Sequence, residues 1–354
     1  MTLKHWKRSA MVLGVALVLG ACSKKTENTA PEASAPVEQG AVAQPPPVFY
    51  VTHASGPVAV YSLTDYSRLG DLPLGEGGPG ADLSEDGKLL AVAMGKTNDL
   101  AIVDTATHQT IHRVPLDFNP GFVRVQGHLA FVGSQSTHAK TIEKAGGVSD
   151  ALPSQVAIID LVKGEKVKVI ATGFNIGAIE PSANGEHILV THDADENVSV
   201  HNIETGEKIV QVDTKEYGIR PREVKRSPNG EQFVITLEYG NKILILDKDY
   251  NVIRQAATGE VPHAVSYTRD GSEIAVGLAR GKMIQVFDTE TLALKREIPI
   301  AQRCRHFSFA PEDTHLIVAC GPNNSLLVLD YVTGQLIKQI PESNSPWKVL
   351  IGQP

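Results

Sequence analysis

Between Val48 and Ile351 the chain alternates apolar and polar residues in runs of about six, the period of half-buried β-strands. One phrase recurs: an alternating strand, a small polar residue, a turn, and a second alternating strand. It reads "VAVYSLTDYSRLGDL", "LAIVDTATHQTIHRV", "VAIIDLVKGEKVKVI", "VSVHNIETGEKIVQV", "ILILDKDYNVIRQAA", "IQVFDTETLALKREI" and "LLVLDYVTGQLIKQI". Its anchors are Ser62, Asp104, Asp160, Asn202, Asp247, Asp288 and Asp330, spaced 42, 56, 42, 45, 41 and 42 residues apart. Asp and Asn suit this spot because their side chains bond the backbone of the turn they open. Between the anchors lies a second phrase, as in "LSEDGKLLAVA", "PSANGEHILVT", "RSPNGEQFVIT", "YTRDGSEIAVG" and "FAPEDTHLIVA". Asp-Gly and Asn-Gly between apolar alternations are hairpin signals.

Each unit therefore carries four strands, a to d, with one turn between a and b and the anchor between c and d. Four strands in about 42 residues make a β-propeller blade, and seven anchors predict an all-β, seven-bladed propeller over 48–354. The first phrase, "VFYVTHASGPVAVYSL", supplies strands b and c of its blade and lacks strand a. "SPWKVLI", Ser345 to Ile351, repeats the strand-a phrase at the other end. The expectation is one blade built from N-terminal strands b to d and a C-terminal strand a, leaving no open sheet edge in the ring.

The segments "RPREVKRSPNGEQFVIT", "YVTH" and "LAIVDTATHQT" resemble the seven-bladed YVTN-repeat propellers, a group related to lactonase-like and haem d1 propellers. That resemblance implies fold and little about activity, because propellers host many functions.

Before the repeats the composition changes. Lys4, Lys7 and Arg8 precede "AMVLGVALVLGA", a run too short to span a bilayer that reads as an export-signal core. It ends in "LGAC", which resembles the lipobox of bacterial lipoproteins. By that resemblance residues 1–21 are a signal peptide, and Cys22 becomes the lipidated mature N-terminus. Ser23 in place of Asp implies the outer membrane, with the propeller facing the periplasm. The Ala-, Pro-, Glu- and Ser-rich stretch over 22–47 contains too little apolar surface to fold and reads as a disordered tether. Without Lys4, Lys7 and Arg8 the formal charge moves from -7 to -10, which excludes nucleic acid as an expected partner. The expected partners are a membrane, through the lipid, and a protein or small anionic ligand; the domain is expected to be a monomer.

Function is expected on the face carrying the d-to-a and b-to-c connections, because the other holds the repetitive turns. Aligning the starts of strand a gives Pro79, Asn119, Gly177, Arg222, His263, Arg305 and Trp347 around the channel mouth. The ends of strand b add His53, His192 and Glu238, with Glu180 and Glu223 nearby. Arg222, His263, Arg305, Trp347, His53 and His192 are the candidate ligand-binding residues. A ring of cations beside an aromatic wall suits a small anion. His53 and His192 belong to separate blades and find no third ligand, so no metal is expected. The insertion "GSQSTHAKTIEKAGGVSDALPS", 133–154, lies between strands b and c on the same face, a place for a partner contact.

Cys304 opens strand a and Cys320 ends strand b of one hairpin. Pairing about "PED" places Phe309 opposite His315 and Cys304 opposite Cys320, predicting a disulfide in an oxidising compartment. There is no CxxC or CxxCH, so thiol redox and covalent haem are not supported.

Two enzymatic readings stand beside the binding one. "RPREVKRSPNGEQFVITLEYG" resembles the P-R-H and N-E-L segments of six-phosphogluconolactone-type lactonases. The resemblance assigns Arg222 and Glu238, with His263 as a compensating base, as catalytic candidates. Glu223 stands where that family has His, and Leu237 where it has Asn. Related periplasmic propellers hold haem d1 or a quinone, but no residue here singles out a cofactor, and none is expected.

Overall fold

The computed structural model describes residues 47–135, 153–300 and 302–352. The proposed signal, Cys22, nearly all of the tether and the middle of the insertion lie outside them. The described residues form seven four-stranded antiparallel sheets, each a blade with strands a to d in order from the channel outwards. Blade 1 takes strand a, Pro346–Ile351, from the C-terminal end. It pairs with strand b, Val48–His53, through Phe49↔Ile351, Tyr50↔Leu350 and Val51↔Val349. The closure read from the repeats is therefore the closure of the ring.

Strands b and c are buried on both faces because blades pack face to face, whereas strand d alternates toward solvent. Each interface is a small apolar core. Between blades 7 and 1 it comprises Phe49, Val51, Tyr61, Ile317 and Val328.

The repeated polar residues have local causes. Ser84, Ser182 and Ser227 accept the N–H of the first residue of strand b and donate to the Asx of the a-to-b turn. Gly230 closes one such turn at φ +76°, where a side chain is disfavoured. The anchors act as read: Asp104 accepts the Thr107 N–H at 2.8 Å and its hydroxyl at 2.7 Å. The threonine of the strand-b phrase stitches blades together. Thr52, Thr191 and Thr236 donate to the carbonyls of Pro79, Arg222 and His263 in the next blade at 2.9, 3.1 and 3.2 Å. On the opposite face the start of strand b pairs with a tyrosine of the next blade: His187 with Tyr250 at 2.7 Å and His315 with Tyr66 at 2.9 Å. The Tyr331 hydroxyl donates to Glu273 at 2.6 Å in the same way.

In five of the seven blades strand a carries a register shift where it reaches the mouth. In blade 5 the pair Pro221↔Leu237 gives way to Val224↔Ile235; in blade 6 Pro262↔Leu278 gives way to Ala264↔Gly277. Such a bulge re-aims the residue it carries. Arg222, His263 and Trp347 each directly follow a proline at this bulge. In blade 3 the equivalent residue is Gly121, after Pro120↔Ser134, so Asn119 stands two residues too early in the sequence alignment. Blade 7 is corrected as well: Phe309 pairs with Leu316 rather than His315. The one-residue shift still leaves Cys304 beside Cys320, and the two form the disulfide with Cα atoms 4.0 Å apart.

Candidate functional site at the channel mouth

A cavity of about 1190 Å³ follows the channel and is lined by strand a of every blade. Pro79, Gly121, Gly177, Arg222, Arg305 and Trp347 line its mouth. His263 belongs to the same ring but is buried just behind the wall.

The Arg305 guanidinium lies over the Trp347 ring at 5.1 Å. Among the described residues it has no carboxylate in ion-pair reach. Burial, then Arg303 and Arg222, lowers its pKa, a sign of crowded cations. Arg222 reaches only Asp193, at 3.4 Å, among the described carboxylates. Asp193 is shared with Arg220, at 3.2 Å, and accepts the Asn175 amide at 2.6 Å. Arg220 also pairs with Glu238 at 3.0 Å and lies against Tyr239. Glu238 is thus engaged by Arg220, a residue that aligning the strand starts does not place at the mouth.

His306 was not among the sequence candidates. Its ring stands edge-on to His263 with centroids 4.9 Å apart and tilted against Trp347 at 5.5 Å. It lines the cavity. Nδ1 of His263 and Nε2 of His306 are buried and have no hydrogen-bond partner among the described residues. Burial is the main reason both imidazoles stay neutral. Arg222, His306 and Arg305 further depress His263. For His306, Glu223 pulls upward, but burial and the neighbouring cations leave its pKa at about 3. The position was readable: His306 occupies the place in "CRHF" that Glu223 has in "PREV".

Below the mouth runs a girdle of alternating charge. Arg124 pairs with Asp82 at 3.3 Å and Glu180 at 2.8 Å, and Lys225 pairs with Glu223 at 3.1 Å. Lys348 donates to the Ala81 carbonyl at 2.9 Å. Burial would raise the Glu223 carboxyl, but its ion pair with Lys225 and the nearby Lys348 outweigh it and hold it below its ordinary value. Glu180 and Glu223 are thereby parts of the channel wall.

His53 and His192 stand apart from the mouth. His53 Nδ1 bonds the Pro57 carbonyl at 2.7 Å, and Nε2 meets Glu342 at 3.1 Å. His192 Nε2 accepts the Gly173 N–H at 3.3 Å and bonds the Ser199 hydroxyl at 2.7 Å. Only strand a faces the channel; a residue ending strand b points between strands and blades. No cluster of three or more metal-binding side chains occurs among the described residues.

No protein-family model matches the chain, and no curated protein matches it. Solved structures do. A functionally unknown protein from Desulfotomaculum acetoxidans superposes with a TM-score of 0.72 at 16% identity, covering 87% of this chain and 99% of that one. A putative 6-phosphogluconolactonase from Bacteroides uniformis gives 0.67 at 16% identity, covering 86% and 99%. Hydrazine synthase from Kuenenia stuttgartiensis gives 0.64 at 17% identity, covering 77% and 89%. At these identities the likeness is one of fold, and the fold it establishes is the seven-bladed propeller.

Proposed function

We propose that the chain is a membrane-tethered binding propeller that takes a small anion at the mouth formed by Arg222, Arg305, His306 and Trp347. The observation that carries this reading is Arg305, a partly buried guanidinium facing the cavity with a ring behind it and, among the described residues, no carboxylate within ion-pair distance; Glu238, held by Arg220, attracts it only from farther off. Such a group favours an anionic partner. Arg222, sharing one carboxylate with Arg220, adds to the same field. The lipobox resemblance at Cys22 and the tether support a location on the periplasmic side of the outer membrane.

Hydrolysis is the weaker reading. An imidazole with a pKa of about 3 is a poor general base at neutral pH. Glu238 is tied to Arg220, and Glu223, standing where the lactonase pattern has His, is tied to Lys225.

Titration with citrate and inorganic phosphate tests the proposal. The reporter is Trp347 emission in the chain carrying Trp6→Phe. The expected result is saturable binding, weakened at least tenfold by Arg305→Ala. Anions acting no more strongly than chloride would refute it. So would a bound chromophore in the purified protein, or turnover of 6-phosphogluconolactone lost in His306→Ala.

A further inference from the structure

Blade 7 begins differently from its neighbours. In blades 5 and 6 strand a spans Pro221–Arg226 and Pro262–Tyr267, and its first residue pairs in register with Leu237 or Leu278. Proline there fixes φ without needing an N–H partner. In blade 7 the paired strand spans only His306–Phe309, and its register begins at His306↔Ala319. Cys304 and Arg305 precede it, and the Arg305 N–H reaches the Ala319 carbonyl only at 3.3 Å. Cys304 occupies the place of Pro221 and Pro262, and Cys320 that of Leu237 and Leu278. The residues that follow, Arg305 and His306, are those that meet Trp347.

We propose that the Cys304–Cys320 disulfide is a positioning element of the mouth. It covalently holds the strand start that carries Arg305 and His306, where blades 5 and 6 rely on proline and a longer ladder. The ligand-site part rests on the anion-binding reading above; the positioning of Arg305 against Trp347 does not. Arg222 and His263 follow prolines and are held independently of the disulfide. Arg305 is held by the cystine on one side and the Trp347 ring on the other. Gln302, accepting from Ser325 at 2.9 Å, is another side-chain hold on this segment. Both cysteines are buried, so the bond is shielded from chance reduction. A dithiol that reaches it supplies two electrons and two protons, leaving two cysteine thiols and the reagent's own disulfide.

The decisive experiment uses two double variants of the full chain in the Trp6→Phe background. Cys304→Ser with Cys320→Ser removes the bond. Cys304→Pro with Cys320→Leu rebuilds the arrangement of blades 5 and 6 without sulfur. The serine pair is expected to shift Trp347 emission, speed exchange of the Arg305 amide and weaken citrate binding about tenfold. The proline–leucine pair is expected to return all three to within about twofold of the parent. Wild-type protein reduced with dithiothreitol provides the same comparison if the serine pair fails to fold. Unchanged emission and exchange after loss of the bond would overturn the proposal, as would a proline–leucine pair no better than the serine pair. If the parent binds no citrate, the anion-binding reading fails, while emission and exchange still decide the positioning role.

Discussion

His192 allows a sharp test of how this fold responds to acid. Its side chain is fully buried in blade 4, and Nε2 accepts from Gly173 and bonds Ser199. Burial, then His201 and Lys208, depresses its pKa to about 3. In the unfolded chain the same ring titrates near ~6.5. Between these values the unfolded state binds a proton that the folded state refuses, so stability falls as pH falls. The loss is ~1.4 kcal/mol per pH unit for one group, or about 2 kcal/mol from pH 6.5 to pH 5. Carboxylates held low, such as Glu223, withdraw their contribution only below about pH 4.3, outside this window. His192→Gln keeps a carbonyl to accept from Ser199 and Gly173 but cannot titrate. Urea unfolding at pH 7, 6 and 5 should give the wild type a pH slope steeper than the variant's by up to ~1.4 kcal/mol per unit. Parallel profiles for the two proteins would refute a buried, neutral His192.

Removing residues 345–354 takes away strand a of blade 1. Val349 and Leu350 are buried, each contributing about 2 kcal/mol, and the Val48–His53 strand loses its ladder partner. Because domain stability is itself only about 5–15 kcal/mol, thermal circular dichroism should show no cooperative transition; a melt like the parent's would disprove the closure. Thr236→Val leaves the His263 carbonyl without its hydroxyl donor and should cost about 1 kcal/mol in urea unfolding. Cys22→Ser should abolish palmitate incorporation in a bacterial host and release the protein from the membrane fraction; unchanged labelling would dismiss the lipobox reading.

The fold was legible because its period is imposed by local chemistry. Each blade repeats the Asx or Ser anchor of one turn and most repeat the polar-Asx-Gly pattern of the other, and every anchor read from sequence stands where expected. The ends were equally legible, since Ser345–Ile351 could only be strand a of the unit lacking one. The mouth was legible where proline marked the bulge, at Arg222, His263 and Trp347. It was misread at Asn119, because a register shift inside strand a does not appear in residue spacing. Arg305 was found despite lacking that proline. His306 was missed because the starts of strand a name one residue per blade, whereas in blade 7 both Arg305 and His306 line the cavity. His53 and His192 were misplaced for a radial reason: strand b lies behind strand a.

The lopsidedness of the mouth follows from these constraints. Three consecutive blades, 2 to 4, present Pro79, Gly121 and Gly177; of the next four, three present Arg222, Arg305 with His306, and Trp347, while His263 lies buried behind the wall. The small half is partly forced. A Cβ on Gly177 would meet the Arg222 carbonyl at 2.7 Å, and one on Gly80, beside Pro79, the Gly121 carbonyl at 2.5 Å. Where neighbouring backbones approach that closely, the ring admits no side chain and leaves open volume. The large half then faces that volume with guanidinium, neutral imidazole and indole. A uniform ring of cations would repel itself and collect solvent ions from every side. A group of cations opposite a wall of small residues gives the ligand a defined orientation, with its charge toward Arg222 and Arg305 and its other side toward Pro79, Gly121 and Gly177. Filling the open half tests this directly: Pro79→Phe should displace citrate without touching any charged residue, and citrate binding unchanged in a folded Pro79→Phe protein would place the anion elsewhere.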